Sequence, residues 1–154
     1  MLEKQKELSA GRSSAKTVLS KAISASPRSV GRILLIDDDP VFRAILSKLA
    51  AQEGLEVDAF DSMLEVEPFS RIASYRGVIF DFHLSQIDGV ELATHLESIF
   101  GGIPMLLVSA DGDAERTMNQ RCPGMFGAFM NKKEGGRKIV GKIRDMIVSA
   151  KHAN

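Results

Sequence analysis

Three carboxylates, one hydroxyl and one ammonium stand at the ends of short apolar runs in this sequence. Asp37 and Asp38 follow Ile33-Leu34-Leu35-Ile36, and Asp81 follows Gly77-Val78-Ile79-Phe80. Ser109 follows Ile103–Val108, and Lys132 closes the stretch that begins at Phe126. Carboxylates brought this close repel one another, and they stay ionised only beside a cation or with one pKa pushed upward. Mg²⁺ suits such a set because it is hard, prefers oxygen ligands in an octahedron and keeps waters that a phosphate can replace. An ionised Asp81 held against the metal is a carboxylate nucleophile, able to attack phosphorus and form an acyl phosphate. The metal, Lys132 and a hydroxyl donor then neutralise charge on the transferring phosphoryl oxygens. A positioned water resets the site by hydrolysis.

The elements that must hold these groups follow from the apolar pattern. The continuous runs at 33–36, 77–80 and 103–108 read as strands buried on both faces. Two further strands are expected at Leu55–Phe60 and Phe126–Met130. Between them the spacing changes to that of helices. One starts at Asp39-Pro40, with aspartate as cap and proline in the first turn, runs through Phe42, Ile45, Leu46 and Leu49, and stops at Gly54. A weak helix over Ser62–Ala73 is interrupted by Pro68. Others span Gly89–Ile99, Asp113–Arg121 and Arg137–Ala150, the last with Ile139, Val140, Ile143, Ile147 and Val148 facing inward. Five strands alternating with five helices predict an α/β domain with a doubly wound parallel sheet. Ligands of such sheets bind outside the C-terminal strand ends, which is where the acids, Ser109 and Lys132 fall.

Composition narrows the setting. The chain has 154 residues, is 44% hydrophobic and 26% charged, and has zero formal net charge. Residues 1–30 carry +4 and are Ser-, Ala- and Lys-rich, so they read as a flexible extension before a domain over 31–150 and a tail at 151–154. A short amphipathic helix around Thr17–Ile23 would be marginal alone. The body carries −4, which argues against sequence-independent nucleic-acid binding, since that rests on neutralising phosphates. No apolar run is long enough to cross a membrane. A single cysteine, Cys122, allows no internal disulfide and reads as an inert thiol. A cytoplasmic location is expected.

With these residues in place, the sequence resembles the receiver domain of two-component response regulators, in particular the single-domain, chemotaxis-regulator-like kind. Ile33–Pro40, the segment DFHLSQIDG from Asp81 to Gly89, Val108-Ser109-Ala110 and Gly127–Lys132 carry the likeness, which covers about 120 residues. The resemblance implies a flavodoxin-like, five-stranded parallel sheet of order 2-1-3-4-5. It implies Asp81 as phosphoacceptor, and Asp37, Asp38, Asp81 and the backbone carbonyl of His83 as Mg²⁺ ligands. It also implies Ser109 as switch hydroxyl, Ala110 as the small residue giving the phosphate access, Lys132 as phosphate-binding lysine and Phe129 as switch aromatic. The partners implied are a histidine kinase or histidine phosphotransfer protein as donor and a protein target downstream. Neither an output domain nor enzymatic turnover is expected.

Two positions depart from the family pattern: Ser85 and Lys133 stand where prolines are common, the second normally forming a cis bond that aims the lysine. A cis bond before a non-proline costs about 2.5–4 kcal/mol, so a trans Lys132–Lys133 bond is expected. That leaves Lys132 without its usual aim and makes Lys133 a candidate to share its role. The departures keep open a pseudo-receiver that signals without phosphate. A Mg²⁺-dependent phosphatase is disfavoured, because the second acid such enzymes commonly place two residues after the nucleophile is His83 here.

Overall fold

Residues 29–84, 89–121 and 128–153 are described by the computed structural model. The extension through residue 28, Ser85, Asp88, Cys122 and the Phe126-Gly127 start of the fifth strand lie outside them. The strands are β1 (Gly31–Ile36), β2 (Leu55–Phe60), β3 (Gly77–Asp81), β4 (Met105–Ser109) and β5 (Ala128–Asn131). They form one parallel sheet of order β2-β1-β3-β4-β5, the arrangement implied by the resemblance. Four α-helices accompany it among the described residues: α1 (Pro40–Gln52), α2 (Gly89–Phe100), α3 (Ala114–Arg121) and α4 (Gly136–His152).

Alternation along the strands divides the core between the two faces of the sheet. Ile33, Leu35, Ile79, Leu106 and Val108 pack with Leu46 and Ala50 of α1 and with Ile139, Val140, Ile143 and Ile147 of α4. Leu34, Ile36, Val78, Phe80 and Leu107 pack on the other side with Leu92 and Leu96 of α2 and Met118 of α3. Both faces of β1, β3 and β4 are therefore covered, which accounts for the unbroken apolar runs. The start of α4 comes close to α1: a Cβ at Gly136 would lie 2.6 Å from Leu49 Cδ1. Gly54 ends α1 with φ of 77°, a conformation that glycine adopts without a Cβ penalty.

Several elements differ from the sequence pattern. The expected second helix is replaced by two 3₁₀ turns, Met63–Glu65 and Phe69–Ser74. Pro68 removes a donor, and its ring disfavours the helical conformation at Glu67. Buried Val66, Ile72 and Tyr75 hold this segment to the sheet instead. β4 starts at Met105, after Pro104, whose carbonyl accepts from Val78 N (2.9 Å). In α1, Ile45 faces outward. In α4, Ile147 sits over Gly77, the first residue of β3, so Val148 lies at the rim and is exposed. No helix among the described residues is long and apolar enough to cross a membrane.

At the β2 edge Tyr75 Oη donates to Asp58 Oδ2 (2.7 Å), which also pairs with Arg71 (3.0 Å). Burial first, then the bond to Asp58, pushes the phenol up to about 12 from its ordinary 10.0. Because the folded value is the raised one, the linked stability is intact below 10.0 and is lost as pH rises through about 12. Tyr75 is the only tyrosine and there is no tryptophan, so phenolate absorbance reports this group alone. Alkaline titration of the native protein is expected to give a midpoint near 12, falling to about 10 in urea. Tyr75→Phe is expected to cost about 1 kcal/mol in denaturant unfolding.

Candidate functional site at the C-terminal edge of the sheet

The register sets the site. Ile36 pairs with Phe80 and Asp81 with Val108, so β1, β3 and β4 end level and present Asp37, Asp81 and Ser109 on one edge. Asp37 N donates to Phe60 O (3.1 Å), which carries the ladder one residue past β1 and draws the Asp37 side chain into the protein. The chain then turns into α1. Asp39 caps that helix, its Oδ1 accepting from Val41 N (2.9 Å) and Phe42 N (3.3 Å), with Pro40 in the first turn as expected. Asp39 N donates in turn to Asp37 Oδ1 (2.9 Å). Arg43 reaches back from the helix and donates to the Asp37 carbonyl (2.6 Å).

Asp37, Asp38 and Asp81 each offer a carboxylate oxygen within 4.8 Å of the others. Asp37 and Asp81 are buried and Asp38 is exposed. Lys132 Nζ lies 2.6 Å from Asp37 Oδ2 and donates to Asp81 Oδ2 at 3.1 Å. Asp81 Oδ1 accepts from the amide of His83 (3.0 Å). Asp37 Oδ2 is buried and accepts no hydrogen bond of good geometry, so the nearby ammonium is what balances its charge.

The electrostatics show a shortage of positive charge. Burial raises the Asp37 carboxyl above its ordinary range, and the ion pair with Lys132 offsets this only in part. Lys132 is also raised: burial works against its charge, but Asp37 and Asp81 together outweigh it. Three carboxylates around one ammonium leave a net charge of −2. An oxygen-only donor set with unmet negative charge fits a hard divalent cation.

The lysine arrives by a route different from the family's. Lys132–Lys133 is trans, as the sequence suggested, since Glu67–Pro68 is the only cis bond among the described residues. Lys132 opens a 3₁₀ turn (Lys132–Glu134) closed by a reciprocal cap. Asn131 Oδ1 accepts from Lys133 N (2.9 Å), and Glu134 Oε2 accepts from Asn131 N (3.1 Å). The expectation that Lys132 loses its aim therefore does not hold. It reaches both acids, while Lys133 is exposed.

The remaining candidates surround this centre. Ser109 is fully buried, and its Oγ accepts from Asp111 N (3.0 Å). Ala110 is exposed, and Phe129 is half-buried against the core on the α2–α3 side. His83 donates its amide to Asp81, packs its ring edge-on against Phe82 and sets its Nε2 opposite Asp111 Oδ2 (3.3 Å), which links the loops after β3 and β4. The backbone hydrogen bond from Asp113, then the His83 contact, lowers the Asp111 carboxyl. Sequence reasoning missed Asp111 and missed Phe42 as a site residue; the Phe42 ring lies under the Lys132 ammonium, 4.4 Å from its centroid. Its place in the first turn of a helix capped beside Asp37 was the available signal.

A carboxyl whose folded pKa is raised stabilises fully below 3.8 and loses that contribution as pH rises through the folded value. Ionised Asp37 therefore burdens the fold at neutral pH. With divalent cations chelated, Asp37→Asn is expected to raise the melting temperature at pH 7, because Lys132 keeps Asp81 as partner. The gap to wild type should close as pH falls toward 3.8. A variant that melts lower at every pH would show the pair to be net stabilising.

The sequence pattern that defines the response regulator receiver domain matches residues 33–144. The chain is 31% identical over 114 residues to the C4-dicarboxylate transport transcriptional regulatory protein DctD of Pseudomonas aeruginosa, covering 73% of this chain and 24% of that protein. It is 33% identical over 119 residues to the probable transcriptional regulatory protein SilR of Salmonella typhimurium, covering 75% and 50%. The chain thus spans about a quarter to a half of these relatives. Among solved structures, a CheY-like receiver domain protein of Methanospirillum hungatei superposes with a TM-score of 0.69 at 21% identity, over 82% of this chain and all of that one. A receiver domain protein of Clostridium thermocellum gives 0.69 at 20% identity, over 80% and 98%.

Proposed function

Because the chain belongs to the response regulator receiver domain family, we propose that it is a phosphorylatable receiver that takes a phosphoryl group onto Asp81. The donor is a histidine kinase or histidine phosphotransfer protein, and the output is a protein–protein contact made in the cytoplasm. Residues 31–150 are the working domain, with 1–30 an extension to it. The observation that carries this reading is the shared ammonium. Lys132 bridges Asp37 and Asp81, and the oxygens of three acids lie within 4.8 Å of one another.

In the transfer, a carboxylate oxygen of Asp81 forms the new bond to phosphorus as the phosphorus–nitrogen bond of the donor phosphohistidine breaks. The leaving imidazole takes up a proton, and no oxidation state changes. Asp37, Asp38, Asp81 and the His83 carbonyl would hold Mg²⁺, which would supply positive charge to the phosphoryl oxygens when bound. Lys132 turns its ammonium from Asp81 to one of those oxygens. The Ser109 hydroxyl offers a donor for another, exchanging its contact with Asp111, and Phe129 follows as the switch aromatic. Ala110, small and exposed, leaves the approach open. The placement of Lys132 favours this reading over a pseudo-receiver.

Incubation with Mg²⁺ and a small acyl-phosphate donor is expected to add one phosphate, seen as intact mass, and none to Asp81→Asn. Lys132→Ala is expected to slow labelling about a hundredfold. Equal labelling of Asp81→Asn would remove Asp81 as acceptor. No labelling of wild type, with partner binding intact in Asp81→Asn, would select the pseudo-receiver.

Docking of the protein donor has a surface beside the site. Val41 and Ile45, one helical turn apart on α1, are 64% and 52% exposed. Apolar residues at i and i+4 suit a helical partner. Ile45→Glu is expected to slow transfer from the cognate phosphohistidine protein at least tenfold, with labelling by the small donor unaffected.

A further inference from the structure

The Lys132 ammonium has neighbours on three sides. Asp37 Oδ2 is at 2.6 Å, Asp81 Oδ2 at 3.1 Å and the centroid of the Phe42 ring at 4.4 Å. The lysine side chain is only 15% exposed, so the ring covers a flank that water would otherwise hydrate. A ring face attracts an ammonium at this range through its quadrupole. Unlike a third acceptor, it leaves the N–H groups free to change partners.

The ring and the first carboxylate are placed by one short segment. Asp39 N donates to Asp37 Oδ1, and Asp39 Oδ1 accepts from Phe42 N. The lysine's backbone is placed independently, by the Asn131–Glu134 cap around a trans Lys132–Lys133 bond. We propose that Phe42 is a positioning residue for Lys132: its ring face holds the ammonium between Asp37 and Asp81 and so keeps it beside the Asp81 carboxylate that attacks phosphorus. The kinetic consequence rests on the phosphoacceptor reading above; the placement does not.

A merely structural Phe42, packing against the core between the sheet and helices α1 and α4, predicts something different, and two readouts separate the cases. The first is spectroscopic. In the full-length protein without metal, the side-chain methylene protons of Lys132 next to Nζ are expected to resonate upfield of their position in Phe42→Leu, and to stay upfield in Phe42→Tyr. The second is a double-mutant cycle on labelling by the small acyl phosphate with Mg²⁺. Phe42→Leu is expected to slow labelling about fivefold to tenfold, and Phe42→Tyr to recover most of the loss. In a Lys132→Ala background, Phe42→Leu is expected to add nothing.

Absence of the upfield shift in a folded wild type overturns the proposal. So does a Phe42→Leu rate equal to wild type, or a Phe42→Leu loss that persists without Lys132. If wild type takes no phosphate at all, the phosphoacceptor reading fails, and the chemical shift alone decides whether the ring holds the lysine.

Discussion

A single ammonium just past β5 is shared by two buried carboxylates at the ends of β1 and β3. Lys132 is the cation described inside the acidic cluster, while Asp37 and Asp81 are almost fully withdrawn from water. Buried charge is tolerated only when paired and hydrogen-bonded, and here the pairing is incomplete. Burial displaces the Asp37 carboxyl upward, and Lys132 offsets that only in part. A site built this way has room for more positive charge and, with it, for an anionic group that brings oxygens of its own. The rest of the fold brings three strand ends level and keeps them there.

That levelling comes from the sheet. β1, β3 and β4 are covered on both faces, so a slip of one residue would turn each strand's core side chains to the wrong layer. The same register that fills the two layers fixes Asp37 and Asp81 on adjacent strands. Lys132, just past the end of the edge strand, depends on more local devices. Its peptide bond is trans, and the reciprocal hydrogen bonds of Asn131 and Glu134 shape the turn. The N-terminal segment of α1 supplies a carboxylate and a ring to receive its ammonium. The lysine is thus placed by contacts from two ends of the chain.

How much of this was legible in the sequence depended on the range of the interaction. Buried parallel strands announce themselves as runs such as Ile33–Ile36, and an acid at the end of such a run falls at the sheet edge by topology alone. The cap at Asp39 and the stop at Gly54 were likewise visible, being local chemistry. The stretch from Ser62 to Ser74 was not, because Pro68 sets a local preference while buried Ile72 and Tyr75 decide where the segment lies. Ile45 and Val148 fit a helical stripe, yet each falls beyond the area the sheet can cover. Phe42 read only as one apolar position of the first helix, since its contact with Lys132 joins residues far apart in sequence. The His83–Asp111 contact was hidden for the same reason.

The central claim is that Asp81 receives the phosphoryl group, and a chemical trap tests it most directly. Borohydride reduces an aspartyl phosphate to homoserine, so the protein labelled in Mg²⁺ can be reduced, digested and mapped by mass spectrometry. The account predicts homoserine at position 81, with Asp37 and Asp38 unchanged. Homoserine at 37 or 38, or a stable phosphate on a hydroxyl such as that of Ser109, would contradict it.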